Sequence, residues 1–425
     1  MKKILTLLLA LWMLTGCVAM AAGNQLVVGS TTAMSGAFFT DLFGSNTADM
    51  DVRALLHGYN LMSWDHETGT YQINDSVVAG MAVSRDAQNN RVYTFDLYGD
   101  LKFSDGSAIT AKDYAFSILL TASPELAKLG GQSAAVGAIL GMDAYRSGKS
   151  SVLRGVRLLS DTQMSITISK AYEPYFYEMA LFDYSPYPIS VLAPGCKVVD
   201  TEKGVGIVNA GGTGDAIFTA DLLQTTILDA ATGYMSHPSV VSGPYTLTSY
   251  DAQRGTASFA INPYYKGNED GEKPTIETIV YRTVANDEAI DLLLSGEVDL
   301  LNKMVAADTI SKGIQSTANQ PFSVANYPRS GLSMISFSCE RQTVSGKAVR
   351  QAIASCFDRD ALVKAYTGNF GLKANGYFGI GQWMYQLAAG TIQPPVVDLP
   401  ANATAKETAA YEKTVAQWDA LSLDK

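Results

Sequence analysis

Histidine and cysteine are scarce in this chain of 425 residues, with three of the first and four of the second. His57, His66 and His237 lie far apart, and neither a His-x-x-x-His nor a Cys-x-x-Cys spacing occurs. A metal centre built from a local motif is therefore not expected, and neither is any other cofactor. Charge is sparse too: 17% of residues are charged, with 41 acidic side chains against 31 basic ones. An acidic surface of this kind argues against nucleic acid and against an anionic membrane as the partner. Motifs for catalysis are missing. Ser147-Gly148-Lys149-Ser150 imitates the end of a phosphate loop, but Asp143 stands where the first glycine is required. Gly204-x-Gly206 fails as a dinucleotide fingerprint because Asn209 holds the third glycine position. Without a Gly-x-Ser-x-Gly elbow either, the chain does not read as an enzyme.

What is present begins with an export signal. Met1-Lys2-Lys3 precedes an apolar run from Ile4 to Leu14, too short for the roughly 20 residues of a transmembrane helix. Leu14-Thr15-Gly16-Cys17 resembles a bacterial lipobox, which makes Cys17 the expected lipid-attachment site; Ala19-Met20-Ala21 is a rival site for ordinary cleavage. Removal of residues 1–22 takes the formal charge from −10 to −12. Apolar residues at 47% support sizeable cores, and the length suggests about three domains. With Cys17 set aside, Cys196, Cys339 and Cys356 are an odd set at irregular spacing. A Cys339–Cys356 bridge is open to the chain, but buried free thiols are the expectation.

Periodicity gives the element types. Leu26–Gly29 reads as a short buried strand, followed by a polar loop from Thr31 to Gly36 and a helix over Val52–Leu61. Arg91–Leu97 alternates as a half-buried antiparallel strand, and Val156–Leu158 with Met164–Ile168 form a strand pair. Lys102–Asp113 reads as a strand, an Asp105-Gly106 turn and a helix entered through Thr110, with Thr110 and Asp113 placed to satisfy its first amides. Tyr184–Ile189, rich in proline and aromatics, reads as a loop packed on a core, and Gly204–Gly214 as a glycine-rich loop. Ile276–Val284, a helix capped by Asn286, Gly296 and Glu297–Leu301 make a βαβ unit with a parallel strand pair. Leu332–Phe337 is a further strand, Lys347–Phe357 a helix, and Asp358 the cap of the next.

Five blocks in this order are similar to the extracellular solute-binding proteins, family 5, of oligopeptide and dipeptide ABC transporters. They are Lys102-Phe103-Ser104-Asp105-Gly106 with Thr110-Ala111-Lys112-Asp113; Ser242-Gly243-Pro244-Tyr245; Asn262-Pro263-Tyr264-Tyr265; Leu294-Ser295-Gly296-Glu297-Val298-Asp299; and Val349-Arg350-Gln351-Ala352-Ile353 with Asp358-Arg359. The resemblance implies an α/β, periplasmic binding protein-like class II fold of two lobes, with an extra α+β domain inserted in the first lobe. Its boundaries would be 24–62 and 156–275 for the first lobe, 63–155 for the insertion, and 276–425 for an incomplete second lobe. Lobe-crossing strands would lie near Val284 and near Tyr327 to Leu332. Family members normally continue well past the equivalent of Lys425, so the resemblance also implies a chain truncated at its C-terminus.

The implied function is the solute-binding component of an ABC importer, capturing peptides in an interlobe cleft for a permease in the cytoplasmic membrane. The expected protein is a monomer, exported, and either lipid-anchored at the cell membrane or periplasmic. Met34, Ser35, Gly36, Ala37 and Phe38, in the loop after the first strand, are the family's cleft positions. Arg329, Ser330, Gly331 and Leu332 would offer backbone groups at the crossing, with Arg329 placed to attract a carboxylate. Tyr187 is a ligand candidate whose plainer role is core packing. Alternatives are the same fold with another cargo (a nickel chelate, haem or an oligosaccharide), a ligand-presenting sensor, or an extracellular hydrolase. Scarce histidine weighs against metal complexes.

Overall fold

The computed structural model describes residues 24–65, 70–132, 137–173, 178–212, 214–318, 321–327, 332–368 and 370–374, with isolated positions from 376 to 408. These fall into two compact units, the chain passing from the first to the second after Met304.

The first unit is organised around a five-stranded mixed sheet. Its order is Tyr245–Asp251, Thr256–Ile261, Thr278–Thr283, Gln25–Ser30, Leu300–Asn302. The first three run antiparallel to one another, while Gln25–Ser30 pairs parallel to both Thr278–Thr283 and Leu300–Asn302. The expected βαβ unit therefore exists, but its strands do not pair: the N-terminal strand lies between them. Asp299 fixes this arrangement, because its Oδ2 accepts from the Val27 amide at 2.8 Å and its own amide donates to the Val27 carbonyl at 2.9 Å. The alternation of a strand then divides the packing. Val28 faces the helix Thr47–Leu56 with Ala48, Val52 and Leu56, whereas Val27 faces the helix Ala289–Ser295 with Val284, Ala289 and Val298.

This sheet moves two expected boundaries. Residues 278–302 belong to the first unit rather than beginning a second lobe at 276, and the chain does not leave the unit near Val284. The expected helix Val52–Leu61 is instead Thr47–Leu56, started by Asn46, and Met62–Asp65 is a strand paired with Thr70–Ile73. The helix at Ala289–Ser295 is entered at Glu288, not Asn286, and closed by Gly296 as expected.

A second core fills residues 39–234. A four-stranded antiparallel sheet, in the order Val78–Arg85, Arg91–Leu97, Gln163–Ile168, Val156–Leu158, packs on the helix Ala111–Thr121. That helix buries every residue from Tyr114 to Leu120, consistent with its all-round apolar sequence. The strand pair at 156–168 thus joins the sheet of the expected insertion, which does not close at 155. Gly204–Asn209 is a strand, not a loop: it pairs with Cys196–Thr201 and with Val152–Leu153. Its glycines serve close approach. A Cβ on Gly204, at φ +131°, would lie 2.4 Å from the Leu153 carbonyl oxygen.

Three of the family blocks meet where the two cores adjoin. In the Lys102–Asp113 stretch, Gly106 turns at φ +85°, with Asp105 Oδ1 accepting from the Ser107 amide at 2.9 Å. At the helix entry the expected capping box forms, with Thr110 N and Oγ1 both donating to Asp113 Oδ2, at 2.8 and 2.9 Å. The turn packs on Tyr264, whose ring would lie 3.0 Å from a Cβ on Gly106. Ser104 exchanges bonds with Val241, beside the Ser242-Gly243-Pro244-Tyr245 block. Gly243 N donates to Leu56 O at 2.8 Å, and Asn262 Nδ2 to Gly243 O at 2.8 Å. Tyr265 stacks on Tyr59 with ring centroids 5.1 Å apart. These blocks build a seam, which is why glycine, proline and tyrosine recur in them.

In the second unit, helices occupy Ala307–Thr317, Lys347–Ser355 and Arg359–Thr367. Asp358 caps the last as expected, accepting from the amides of Asp360 and Ala361. Arg350 Nη1 donates to the Val344 and Ser345 carbonyls, a structural use of that family position. Residues 332–337, expected as a strand, form none: they pair with no strand among the described residues, and Met334 and Ile335 are exposed. Cys196, Cys339 and Cys356 are all free, but only Cys196 is buried, a correction to the expectation of three buried thiols. Lys347–Ser355 buries none of its residues, which leaves neighbouring Cys356 exposed.

Candidate functional site

The helix Thr47–Leu56 organises a recess of the first unit. Asn46 Oδ1 accepts from the amides of Ala48 and Asp49, both at 3.0 Å, and Asp49 Oδ2 returns a bond to the Asn46 amide at 3.3 Å. This reciprocal cap buries Asp49 completely. A buried carboxylate needs donors, and the loop after the first strand supplies them. Ser35 N and Oγ reach Asp49 at 2.8 and 2.6 Å, and Gly36 N at 3.2 Å.

One and two turns further along, the same helix holds the rest of that loop. Arg53 Nη1 donates to Ala37 O at 2.7 Å, and His57 Nε2 to Phe38 O at 3.0 Å. Phe38 N donates to Met235 O at 2.9 Å. Of the expected ligand positions, Met34, Gly36, Ala37 and Phe38 are buried, and Met34 and Phe38 pack in the core beneath the sheet. Ser35 is the exposed member, with its amide and hydroxyl already engaged. Tyr187 packs edge-on against Phe39 at 4.7 Å and donates its amide to Asp113 O at 3.3 Å. Leu332 is half-buried in the second unit; Arg329, Ser330, Gly331 and Cys17 lie outside the described residues.

A cavity of about 320 Å³ opens beside this helix. Phe39, Thr40 and Asp41 form one wall, and Arg53, Ala54, His57 and Asn60 a second. Asp183, Ser185 and Tyr187, from the proline-aromatic loop, form the third. Burial holds the His57 imidazole down to about 4, with the Arg53 charge adding to the effect and the bond to Phe38 opposing it. His57 is thus neutral near pH 7. Burial raises the Asp183 carboxyl, offset by the bond it accepts from Asn60 Nδ2 at 2.6 Å. The Tyr187 hydroxyl is driven well above its ordinary value by burial and by the charges of Asp41 and Asp183. The chemistry here is that of binding: fixed dipoles, both signs of charge, and a neutral ring.

Of the residues expected at a ligand site, Tyr187 lines this cavity and residues 34–38 do not, while Arg53, His57, Asn60 and Asp183 were not expected there. The Asn46-x-x-Asp49 cap was a readable signal for the helix that carries two of them. Asp183 had no such signal, because it meets Asn60 only through the fold.

The chain is similar to known proteins along most of its length. The family "Bacterial extracellular solute-binding proteins, family 5 Middle" matches residues 76–410. The periplasmic oligopeptide-binding protein OppA of Escherichia coli K12 is 24% identical over 305 residues, covering 70% of this chain and 48% of its own length. The oligopeptide-binding protein OppA of Lactococcus lactis IL1403 is 27% identical over 233 residues, covering 54% and 32%. The chain thus spans about half or less of these curated relatives. Among solved structures, lactococcal OppA complexed with an endogenous peptide in the closed conformation superposes with TM-score 0.61 at 17% identity, over 92% of this chain and 67% of the other. AppA from Bacillus subtilis, in complex with a nonapeptide, gives TM-score 0.56 at 16% identity, over 93% and 64%.

Proposed function

This chain belongs to the bacterial extracellular solute-binding proteins of family 5, and from that premise we propose that it captures peptides outside the cytoplasm for an ABC importer. The observation that carries the proposal is the family match over residues 76–410, together with the seam in which three of the family's blocks interlock. Relatives named for oligopeptide and dipeptide binding favour peptide over a chelate, haem or sugar as the cargo. Binding is non-covalent, and the chain acts as a binding protein rather than an enzyme.

The permease is the proposed partner, the monomer the working form, and a lipid on Cys17 the anchor. The 34–38 loop and Tyr187 are proposed near the ligand, together with Arg329, Ser330, Gly331 and Leu332. Within the loop, Ser35 is the residue open to solvent. Main-chain pairing would give affinity without demanding one sequence. The test is thermal unfolding of the mature chain with pools of di- to hexapeptides. Stabilisation that grows with peptide concentration is expected; an unchanged transition with every pool, together with intact binding of sugars or haem, would move the cargo to another class. Radiolabelling with palmitate, compared between wild type and Cys17→Ala, tests the anchor.

A further inference from the structure

The cavity beside the Thr47–Leu56 helix holds charges of both signs that do not pair with each other. Among the described residues, Arg53, Asp41 and Asp183 form no ion pair, although Arg53 and both carboxylates line one space of about 320 Å³. The side-chain bonds shown for Arg53 and Asp183 are few. Arg53 spends one nitrogen on the Ala37 carbonyl, and Asp183 spends Oδ1 on Asn60. Asp183 is the one of the three whose charge is disfavoured by burial, and such a charge gains most from a partner that brings the opposite sign. Burial acts on Asp183 in the direction expected of a carboxylate without a cation, and the Arg53 charge is felt at His57 and at Tyr187.

We infer that this cavity, lying wholly within the first unit, is a binding site for a small free zwitterion of α-amino-acid size. The carboxylate of the solute meets Arg53, its ammonium meets Asp183 or Asp41, and Asn60, Ser185 and Tyr187 offer neutral polar partners around it. Size supports this class, since the volume stands at the small end of the roughly 300–1,000 Å³ of small-molecule sites. His57 completes the fit by staying neutral: it adds no second cation beside Arg53 and donates its Nε2 proton to Phe38 O. The inference does not rest on peptide capture, and Tyr187 is the one residue common to this cavity and the proposed peptide contacts.

The experiment is calorimetric titration of the mature chain with L-alanine, ethylamine and propionate, the last two carrying one charge each. L-alanine is expected to bind, and the singly charged probes to bind at least ten-fold more weakly. Asp183→Asn should weaken L-alanine by about 10- to 100-fold, the scale of a lost charge-assisted hydrogen bond. Ala54→Phe plugs the cavity from an exposed helix position and should abolish L-alanine binding without shifting the unliganded melting temperature. Binding of the peptide pools should survive Ala54→Phe, which separates this site from the peptide reading. Absence of binding by wild type, equal binding of the singly charged probes, or unchanged L-alanine affinity in a folded Ala54→Phe overturns the inference.

Discussion

Two desolvated groups pull stability in opposite directions over the same pH range, and substituting one should expose the other. Asp113, buried in the first turn of the Ala111–Thr121 helix, has its carboxyl pushed up to about 6 by burial, with the bonds from Thr110 opposing the rise. His57 is held down to about 4, again chiefly by burial. Between the unfolded carboxyl value near 3.8 and about 6, the native state keeps a proton on Asp113 that the unfolded chain gives up. Stability from this group is therefore fully present below 3.8 and lost as pH rises through 6. The native His57 stays neutral between about 4 and 6.5, where the unfolded chain takes up a proton, so its contribution is lost as pH falls through that window. Each shift is slightly over two units, so each term is about 3 kcal/mol and the two largely cancel. Asp113→Asn keeps an acceptor for the Thr110 amide but cannot ionise, and His57→Gln keeps a donor for the Phe38 carbonyl. Urea unfolding from pH 4 to 6.5 at constant ionic strength reads both. Relative to wild type, Asp113→Asn should gain about 3 kcal/mol as pH rises, and His57→Gln should lose a similar amount. Profiles parallel to wild type for both variants would refute the reasoning.

Other consequences are simpler to read. Gly106→Ala places a side chain at φ +85° against the Tyr264 ring, and should cost about 1–2 kcal/mol in urea unfolding; no loss would remove Gly106 from the seam. Glu178 takes Arg91 Nη1 at 2.6 Å and the Tyr93 hydroxyl at 2.9 Å from a nearly buried position. Glu178→Ala should cost about 2 kcal/mol, less than a fully buried pair because Arg91 is partly solvated. Cys339 and Cys356 should react with a disulfide reagent in the native protein, while Cys196 waits for denaturant; burial raises its thiol and blocks access. Rapid labelling of Cys196 in folded protein would contradict the Cys196–Asn209 strand pairing.

What could be read from residues alone depended on how local its cause was. The Asp105-Gly106 turn, the Asp358 cap and the Gly296 stop are set within a few residues, and each stands where expected. The insertion of Gln25–Ser30 between Thr278–Thr283 and Leu300–Asn302 was not legible, because its pairings join segments far apart in the chain. Glycine misled at 204 and 206. Both look like loop residues, but they let the strand Gly204–Asn209 approach Val152–Leu153. Leu332–Phe337 failed differently: strand propensity fixes no hydrogen bonds without a neighbouring strand. The cavity was the least legible feature. Its one cation and two carboxylates come from residues 53, 41 and 183, and only the fold sets them around one space.

Native mass spectrometry of the mature chain, mixed with a pool of short peptides of known mass, addresses the central claim most directly. Peptide capture predicts discrete added masses matching members of the pool, released on unfolding and displaced by an excess of a second peptide. A spectrum that stays at the unliganded mass with every pool, from protein shown to be folded by its thermal transition, would contradict it.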